Sequence, residues 1–146
     1  MTIGPSDLLI LDTTVLVHWV REDGTGRFLK ETYALDERSD RPLFSTISEG
    51  EINGLAKCWN WGDPKRNALA SIINELIRFE ASLPDVVQAY SELYFEDQRM
   101  GRNTGENDLW IAACAMAAGA VLLTCDNDFL WLNESFIRVE HIPEIR

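Results

Sequence analysis

Acidic residues stand at the ends of apolar runs and at the starts of helical segments in this sequence. Asp12 directly follows the run "LLIL", and Asp126, with Asp128 two residues later, follows "AVLLTC". Glu51 and Asp108 lie in the first turns of two predicted helices, "SEGEINGLAKCW" and "NDLWIAACAMAAG". Carboxylates gathered in one place repel one another unless a cation neutralises them, and hard oxygen ligands suit Mg²⁺ or Mn²⁺. The pattern predicts a divalent-metal site.

A metal ion held by carboxylates suits the hydrolysis of a phosphodiester bond. Such an ion lowers the pKa of a bound water and stabilises negative charge on the leaving oxygen. Each acid taken alone also has a simpler explanation. Asp12 can be a helix N-cap, Glu51 can complete a capping box with Ser48, and the other acids suit a first turn or a polar turn. Only the combination of acids predicts a nuclease.

The elements that must position these acids are predicted from apolar runs, periodicity and turn residues. Strands are predicted at 8–11, 42–46, 79–83, 120–125 and 136–142. Helices are predicted at 13–20, 26–38, 48–59, 62–79, 84–100 and 107–119, with a helical turn at 128–132. A turn at Gly24 and Gly26 is expected to separate the first two helices.

Strands that alternate with helices imply right-handed crossovers and a parallel sheet. The predicted fold class is therefore α/β, a three-layer α/β/α sandwich. In such sheets ligands bind at the carboxyl ends of the strands, which is the edge where the acids are expected to meet.

Composition sets the class of protein. The 146 residues, 46% apolar and 25% charged, predict one globular domain spanning residues 1–146. The formal charge of -11 argues against broad nonspecific binding to nucleic acid, although a local basic patch is compatible with it. Three cysteines without metal or redox spacing, and a first apolar stretch interrupted by Asp12, predict a cytoplasmic protein without a membrane span.

Three blocks of the chain resemble one known family. "LLILDTTVLV", "FSTISEGEINGL" and "GENDLWIAACAMAAGAVLLTCDNDF" resemble the PIN-domain ribonucleases, and within them the VapC-type toxins of type II toxin–antitoxin systems. The resemblance implies a roughly five-stranded parallel PIN-like sheet and metal-dependent endoribonuclease activity. It also implies a homodimer, and inhibition by a small antitoxin protein whose tail covers the active cleft. The acidic composition would suit a basic segment of such a partner.

The resemblance assigns the family's four catalytic acids to Asp12, Glu51, Asp108 and Asp126. Asp12 and Asp108 are expected to hold the main metal, Mg²⁺ or Mn²⁺. Asp126 supports that ion or a second one, and Glu51 orients or deprotonates the attacking water.

Further residues are expected to assist these acids. Thr13, Thr14 and Thr124 are candidate hydroxyl partners in the second shell around the metal, and Asp128 is a candidate helix cap or outer acid. For RNA contact the segment "KCWNWGDPKR" is the most suggestive, because single-stranded RNA is often held by aromatic rings beside cations. Its candidate residues are Lys57, Trp59, Trp61, Lys65 and Arg66. The alternative is that both tryptophans pack the turn or a dimer contact.

Two other functions stay open at this point. One is a haloacid-dehalogenase-like phosphatase, which also begins with an aspartate after an apolar strand but needs a second acid where this chain has Thr14. The other is a PIN-like module that has lost activity and only binds partners.

Overall fold

A five-stranded parallel sheet forms the centre of the molecule. The computed structural model describes residues 3–145. The strands are β1 (Leu9–Leu11), β2 (Leu43–Ser45), β3 (Ile77–Phe79), β4 (Val121–Thr124) and β5 (Val139–His141). Their order is β3-β2-β1-β4-β5, and every neighbouring pair is parallel.

Six α-helices and one 3₁₀ helix connect these strands within the described residues. The α-helices are α1 (Thr13–Arg21), α2 (Gly24–Thr32), α3 (Thr46–Cys58), α4 (Asp63–Glu75), α5 (Pro84–Arg99) and α6 (Glu106–Ala118), and the 3₁₀ helix is Asn127–Leu132. In residues 3–145 no helix is both long and apolar enough to cross a membrane.

Alternate side chains of the central strands pack into two separate cores. Leu9 and Leu11 of β1 join the core formed with α1, α2, α3 and α4, whereas Ile10 joins the core formed with α5, α6 and the 3₁₀ helix. This follows from the period of two along a strand, which directs successive side chains to opposite faces. The predicted three-layer α/β/α sandwich is confirmed.

The two central strands end at the same level. Leu9, Ile10 and Leu11 of β1 lie opposite 121–123 of β4. The hydrogen bonding continues one residue further, because the Asp12 N–H donates to the Leu123 carbonyl oxygen at 3.0 Å. The register therefore brings residues 12 and 124 side by side at the carboxyl edge of the sheet.

The third strand was predicted too late in the sequence. It comprises residues 77–79, whereas 79–83 had been predicted, and α4 ends at Glu75 instead of continuing to Phe79. Leu76 and Ile77 continue the helical spacing of apolar residues, so local periodicity extends the helix. Parallel pairing of 77–79 with 43–45 of β2 decides for the strand.

The predicted turn between the first two helices is also wrong in detail. Glu22 takes the left-handed backbone conformation, with φ of 52°, and both Gly24 and Gly26 lie inside α2. Gly26 is required for another reason: a Cβ there would lie 2.0 Å from the carbonyl oxygen of His18 in α1. Helix α2 ends at Thr32, earlier than the predicted residue 38.

Candidate metal centre

Asp12 is the most deeply buried acid of the site, with 2% of its surface exposed. It caps α1, and its Oδ1 accepts from the Thr13 N–H at 2.7 Å. Its Oδ2 accepts from the hydroxyls of Thr14 at 2.8 Å and Thr124 at 2.7 Å. Burial raises the pKa of this carboxyl, and the hydroxyl donors oppose that rise. Of about four lone-pair positions on a carboxylate, these bonds leave about one.

The two threonines connect Asp12 to the loop that follows β4. The Thr14 hydroxyl accepts from the Cys125 N–H at 3.1 Å, and the Thr124 hydroxyl accepts from the Asp126 N–H at 2.9 Å. Each hydroxyl therefore donates to Asp12 and accepts from the loop. Of the three predicted hydroxyls, these two lie beside Asp12 and Asp126 and fix the position of one acid relative to the other, and the third, that of Thr13, donates to Glu51.

Glu51 reaches the site because α3 begins earlier than the sequence suggested. Ser45 is the N-cap and accepts from the Ser48 N–H at 3.0 Å, so the predicted capping box of Ser48 and Glu51 is wrong. Glu51 lies in the second turn of α3, and its Oε1 accepts from the Thr13 hydroxyl at 2.7 Å. Its Oε2 accepts from the Asn107 amide at 3.1 Å, a contact that sequence reasoning missed.

Three carboxylates form the most closely spaced acidic group, which we call the acid triad: Asp108, Asp126 and Asp128. One oxygen from each lies within 4.8 Å of the others. Asp108 comes from the first turn of α6, and the other two flank Asn127 at the start of the 3₁₀ helix. Asp126 caps that helix by accepting from the Asp128 N–H at 2.9 Å. Of the two roles expected for Asp128, the helix cap is therefore wrong, and the outer acid stays a prediction.

The negative charge of this site is uncompensated by protein cations. In residues 3–145, no lysine, arginine or histidine nitrogen lies within 4.0 Å of a carboxylate oxygen of Asp12, Glu51 or the acid triad. Burial raises the pKa of Asp108 to about 7, and the charges of Asp12, Asp126, Glu51 and Asp128 add to that rise. An all-oxygen donor set under this repulsion fits a hard divalent cation.

The two tryptophans of the α3–α4 turn have different environments. Trp61 is 5% exposed and belongs to the core, and its carbonyl oxygen accepts from Arg66 Nε at 2.8 Å. Trp59 is 44% exposed, and the Arg21 guanidinium carbon lies 4.6 Å from its ring centroid. Lys65 Nζ lies 5.8 Å from the Trp61 ring, and Lys57 is exposed. Trp61 packs the turn, as the alternative reading held, and Trp59 faces solvent.

A groove runs from the exposed tryptophan toward the acids. Its volume is about 210 Å³, and its walls come from α1, the C-terminal part of α3 with Trp59, and Glu144 after β5. Thr13 and Thr14 line one part of it, and Arg21 and Trp59 line another. Because these threonines donate to Glu51 and Asp12, the groove leads to the candidate metal centre.

Comparison with known proteins agrees with this geometry. The sequence profile of the PIN domain matches residues 9–133, which include every acid of the site. The chain belongs to the PIN domain family. The family predicted from the three sequence blocks is therefore confirmed, and the haloacid-dehalogenase-like alternative is set aside. A search of curated protein sequences finds no match.

Solved structures share the PIN fold over nearly the whole chain. VapBC2 from Rickettsia felis, bound to a DNA fragment from its promoter, matches with a TM-score of 0.77 at 21% identity, over 92% of this chain and 98% of that one. VapBC-1 from nontypeable Haemophilus influenzae matches with a TM-score of 0.73 at 20% identity, over 92% and 97%. FitAcB from Neisseria gonorrhoeae matches with a TM-score of 0.67 at 20% identity, over 90% and 96%. At these identities the similarity shows the fold.

Proposed function

We propose that this PIN domain is a metal-dependent endoribonuclease that hydrolyses RNA phosphodiester bonds, and that it is the VapC-type toxin of a toxin–antitoxin pair. The observation that carries the proposal is the convergence of the acid triad with Asp12 and Glu51 at one edge of the sheet without a compensating protein cation. Like charges at this density are costly in a protein that has no use for them.

Within this proposal, Asp108 and Asp126 would be the principal ligands of Mg²⁺ or Mn²⁺, and Asp128 would join them. Asp12 would contribute its one remaining lone pair, because three hydrogen bonds occupy the rest of its carboxylate. When bound, the ion would lower the pKa of a water and stabilise charge on the leaving oxygen. This proposal gives Asp12 a smaller part in metal binding than the sequence predicts, and it gives Asp128 a larger part.

Glu51 is proposed to orient or deprotonate the attacking water. Hydrogen bonds from Thr13 and Asn107 occupy one lone pair on each of its carboxylate oxygens, which fixes the side chain between α1 and α6. Each oxygen keeps a further lone pair that can accept from a water. A fixed acceptor of this kind is what general-base catalysis requires.

RNA is proposed to lie across the groove between α1 and α3. The exposed Trp59 ring offers a stacking surface for an unpaired base, and Arg21 beside it offers a positive charge. Residues 57–66 contain the basic side chains of Lys57, Lys65 and Arg66 against the single acid Asp63, in a chain whose overall charge is -11. Trp61 is not part of the proposed RNA contact, because its side chain is buried in the core and cannot stack on a base.

Two protein partners are part of the proposal. The similar solved structures include VapBC2 from Rickettsia felis, FitAcB from Neisseria gonorrhoeae and a toxin–antitoxin complex from Klebsiella pneumoniae. We propose a small antitoxin that places a basic side chain among the acids.

We also propose a homodimer through the exposed apolar residues of α5, where Val87, Tyr94 and Phe95 are about half exposed or more. Analytical ultracentrifugation of the wild type and a Phe95→Glu variant tests the dimer.

The decisive experiment incubates the purified protein with total RNA, with and without Mg²⁺ or Mn²⁺, beside the Asp12→Asn variant. Cleavage that requires both the ion and Asp12 supports the nuclease. Normal cleavage by the variant would contradict the proposed site. Tight metal binding without any turnover would favour a PIN-like module that only binds partners.

A further inference from the structure

A polar pocket lies beside the acid triad, on the opposite side of the sheet from the Trp59 groove. The loop between α5 and α6, residues 100–104, forms one wall, and Asn127 and Asp128 form the other. Its volume is about 460 Å³. Asp128 belongs to both the pocket and the acid triad, so the pocket opens directly next to the candidate metal centre.

A buried acid holds the wall of this pocket in place. Asp97 in α5 is 1% exposed, and its Oδ1 accepts from the Thr104 N–H at 3.2 Å. The Asp97 carbonyl oxygen accepts from the Arg102 N–H at 2.9 Å, and Gly101 turns the chain with φ of 67°. Two loop N–H groups therefore donate to Asp97, one to its carboxylate and one to its carbonyl oxygen, and fix the loop relative to α5. The same loop leads into α6 and Asp108.

Arg102 supplies the positive charge of the pocket. Its guanidinium carbon lies 5.0 Å from the centroid of the Trp131 ring, and no carboxylate in residues 3–145 forms a salt bridge with it. The neighbouring Arg99, by contrast, is paired with Glu96, with Nη2 2.5 Å from Oε2. The Trp131 ring therefore orients the Arg102 guanidinium, and the N–H groups of that guanidinium remain available to a ligand. Such an arrangement suits a phosphate.

Amide groups complete the lining. The side chains of Asn103 and Asn127 are exposed, and each offers both donors and acceptors. Base edges and ribose hydroxyls present the same mixture of donors and acceptors. A guanidinium together with two amides therefore matches the three parts of a nucleotide, which are its phosphate, its base edge and its ribose hydroxyls.

We propose that this pocket is a nucleotide subsite for the RNA strand, in which Arg102 binds a phosphate adjacent to the scissile one and Asn103 contacts the base. The proposal rests on the proposed function. Helices α1 and α3, which line the Trp59 groove, pack on one face of the sheet, and α5, α6 and the 3₁₀ helix pack on the other. A strand occupying both sites crosses the acid triad between them.

The test compares Arg102→Ala with Arg99→Ala, a matched control that removes the same charge outside the pocket. Binding of a fluorescein-labelled, unstructured RNA oligonucleotide is measured by anisotropy in Mg²⁺, with Asp12→Asn present in every protein to prevent cleavage. Arg102→Ala is expected to raise Kd roughly tenfold. It should also reduce the slope of log K against log salt by about 0.7, the value for one phosphate contact on a single strand. Arg99→Ala should change neither quantity.

Two further variants separate charge from structure and test the base contact. Arg102→Lys should keep the slope of log K against log salt and should lose part of the affinity for the RNA oligonucleotide. An unfolded variant could not give this combination. In protein with Asp12 intact, Arg102→Ala should raise KM more than it lowers kcat. Asn103→Ala should broaden the base preference at one position next to the cut, read by sequencing the product ends.

The outcomes distinguish this subsite from the nuclease proposal. Equal RNA binding by the Arg102→Ala and Arg99→Ala proteins overturns the subsite even if the wild type cleaves RNA. If the wild type cleaves no RNA but binds the oligonucleotide in an Arg102-dependent way, the subsite stands and the nuclease proposal fails.

Discussion

Thr124 joins the two central strands of the sheet to the candidate metal centre: its hydroxyl donates to Asp12 Oδ2 at 2.7 Å. The same hydroxyl accepts from the Asp126 N–H at 2.9 Å, and Thr124 is fully buried. One side chain therefore sets both the charge environment of Asp12 and the position of Asp126.

Thr124→Val should destabilise the protein and weaken metal binding. The change keeps the shape of the side chain but removes one donor to Asp12 and the acceptor of the Asp126 N–H. Loss of these bonds at a buried site should cost about 1 to 3 kcal/mol in the free energy of unfolding, measured in urea. Thr124→Ser keeps the hydroxyl and is the control. Equal stability of the Val variant and the wild type would show that the hydroxyl bonds are unimportant.

The stability of the metal-free protein should fall as the pH rises toward neutrality. The pKa of Asp108 is raised from 3.8 to about 7, and that of Asp12 is raised in the same direction. A raised pKa in the folded state means that the folded protein binds more protons, so this stability is present below about pH 4 and is lost as the pH rises through about 7.

Melting temperatures in EDTA between about pH 5 and about pH 8 measure this effect. Asp108→Asn should flatten the decline and should melt above the wild type at the alkaline end. Added Mg²⁺ should restore the wild type there, because it offsets the repulsion among the carboxylates. Identical pH profiles for the wild type and the variant in EDTA would contradict the assignment.

Both Asp126→Asn and Asp128→Asn should weaken the binding of Mn²⁺, measured by calorimetry. Each acid contributes an oxygen to the acid triad, and the oxygens lie within 4.8 Å of one another. Asn can still cap the 3₁₀ helix, so the loss would come from charge and not from folding. Asp85→Asn, in the first turn of α5, is the control. If only one triad variant loses affinity, the other acid lies outside the coordination shell.

Replacement of the two tryptophans of the α3–α4 turn should have opposite consequences. Trp61→Ala removes a core side chain and should cost about 3 to 5 kcal/mol in unfolding free energy. Trp59→Ala should leave the stability nearly unchanged and should weaken the binding of single-stranded RNA by about 1 to 3 kcal/mol. Thermal melts and RNA anisotropy measure the two effects. Unchanged RNA binding by the Trp59 variant would remove it from the proposed interface.

Cysteine reactivity should separate one thiol from the other two. Cys58 is exposed, whereas Cys114 and Cys125 are buried, and burial raises the pKa of both buried thiols to about 12. Titration with a thiol reagent should therefore modify one equivalent in the native protein and three after denaturation. The Cys58→Ser variant should show no fast phase. A fast phase in that variant would indicate that a buried thiol becomes accessible.

Much of the fold follows from local sequence. The apolar runs before Asp12 and Asp126 are too short for helices and too apolar for exposed strands, so a buried parallel sheet follows from them. The position of β3 did not follow, because Leu76 and Ile77 fit helical spacing as well as strand pairing. Pairing with β2 is a long-range interaction that no local window contains.

The sequence by itself determined the acids, their order and the edge of the sheet where they meet, because residue type and strand direction are local properties. Only the tertiary structure decided which groups each acid contacts. Ser45 caps α3, which lets Glu51 reach Thr13 and Asn107, and the loop after β4 brings Asp128 to Asp108. These choices depend on distances between elements far apart in the chain, and such distances are fixed only when both cores pack against the sheet.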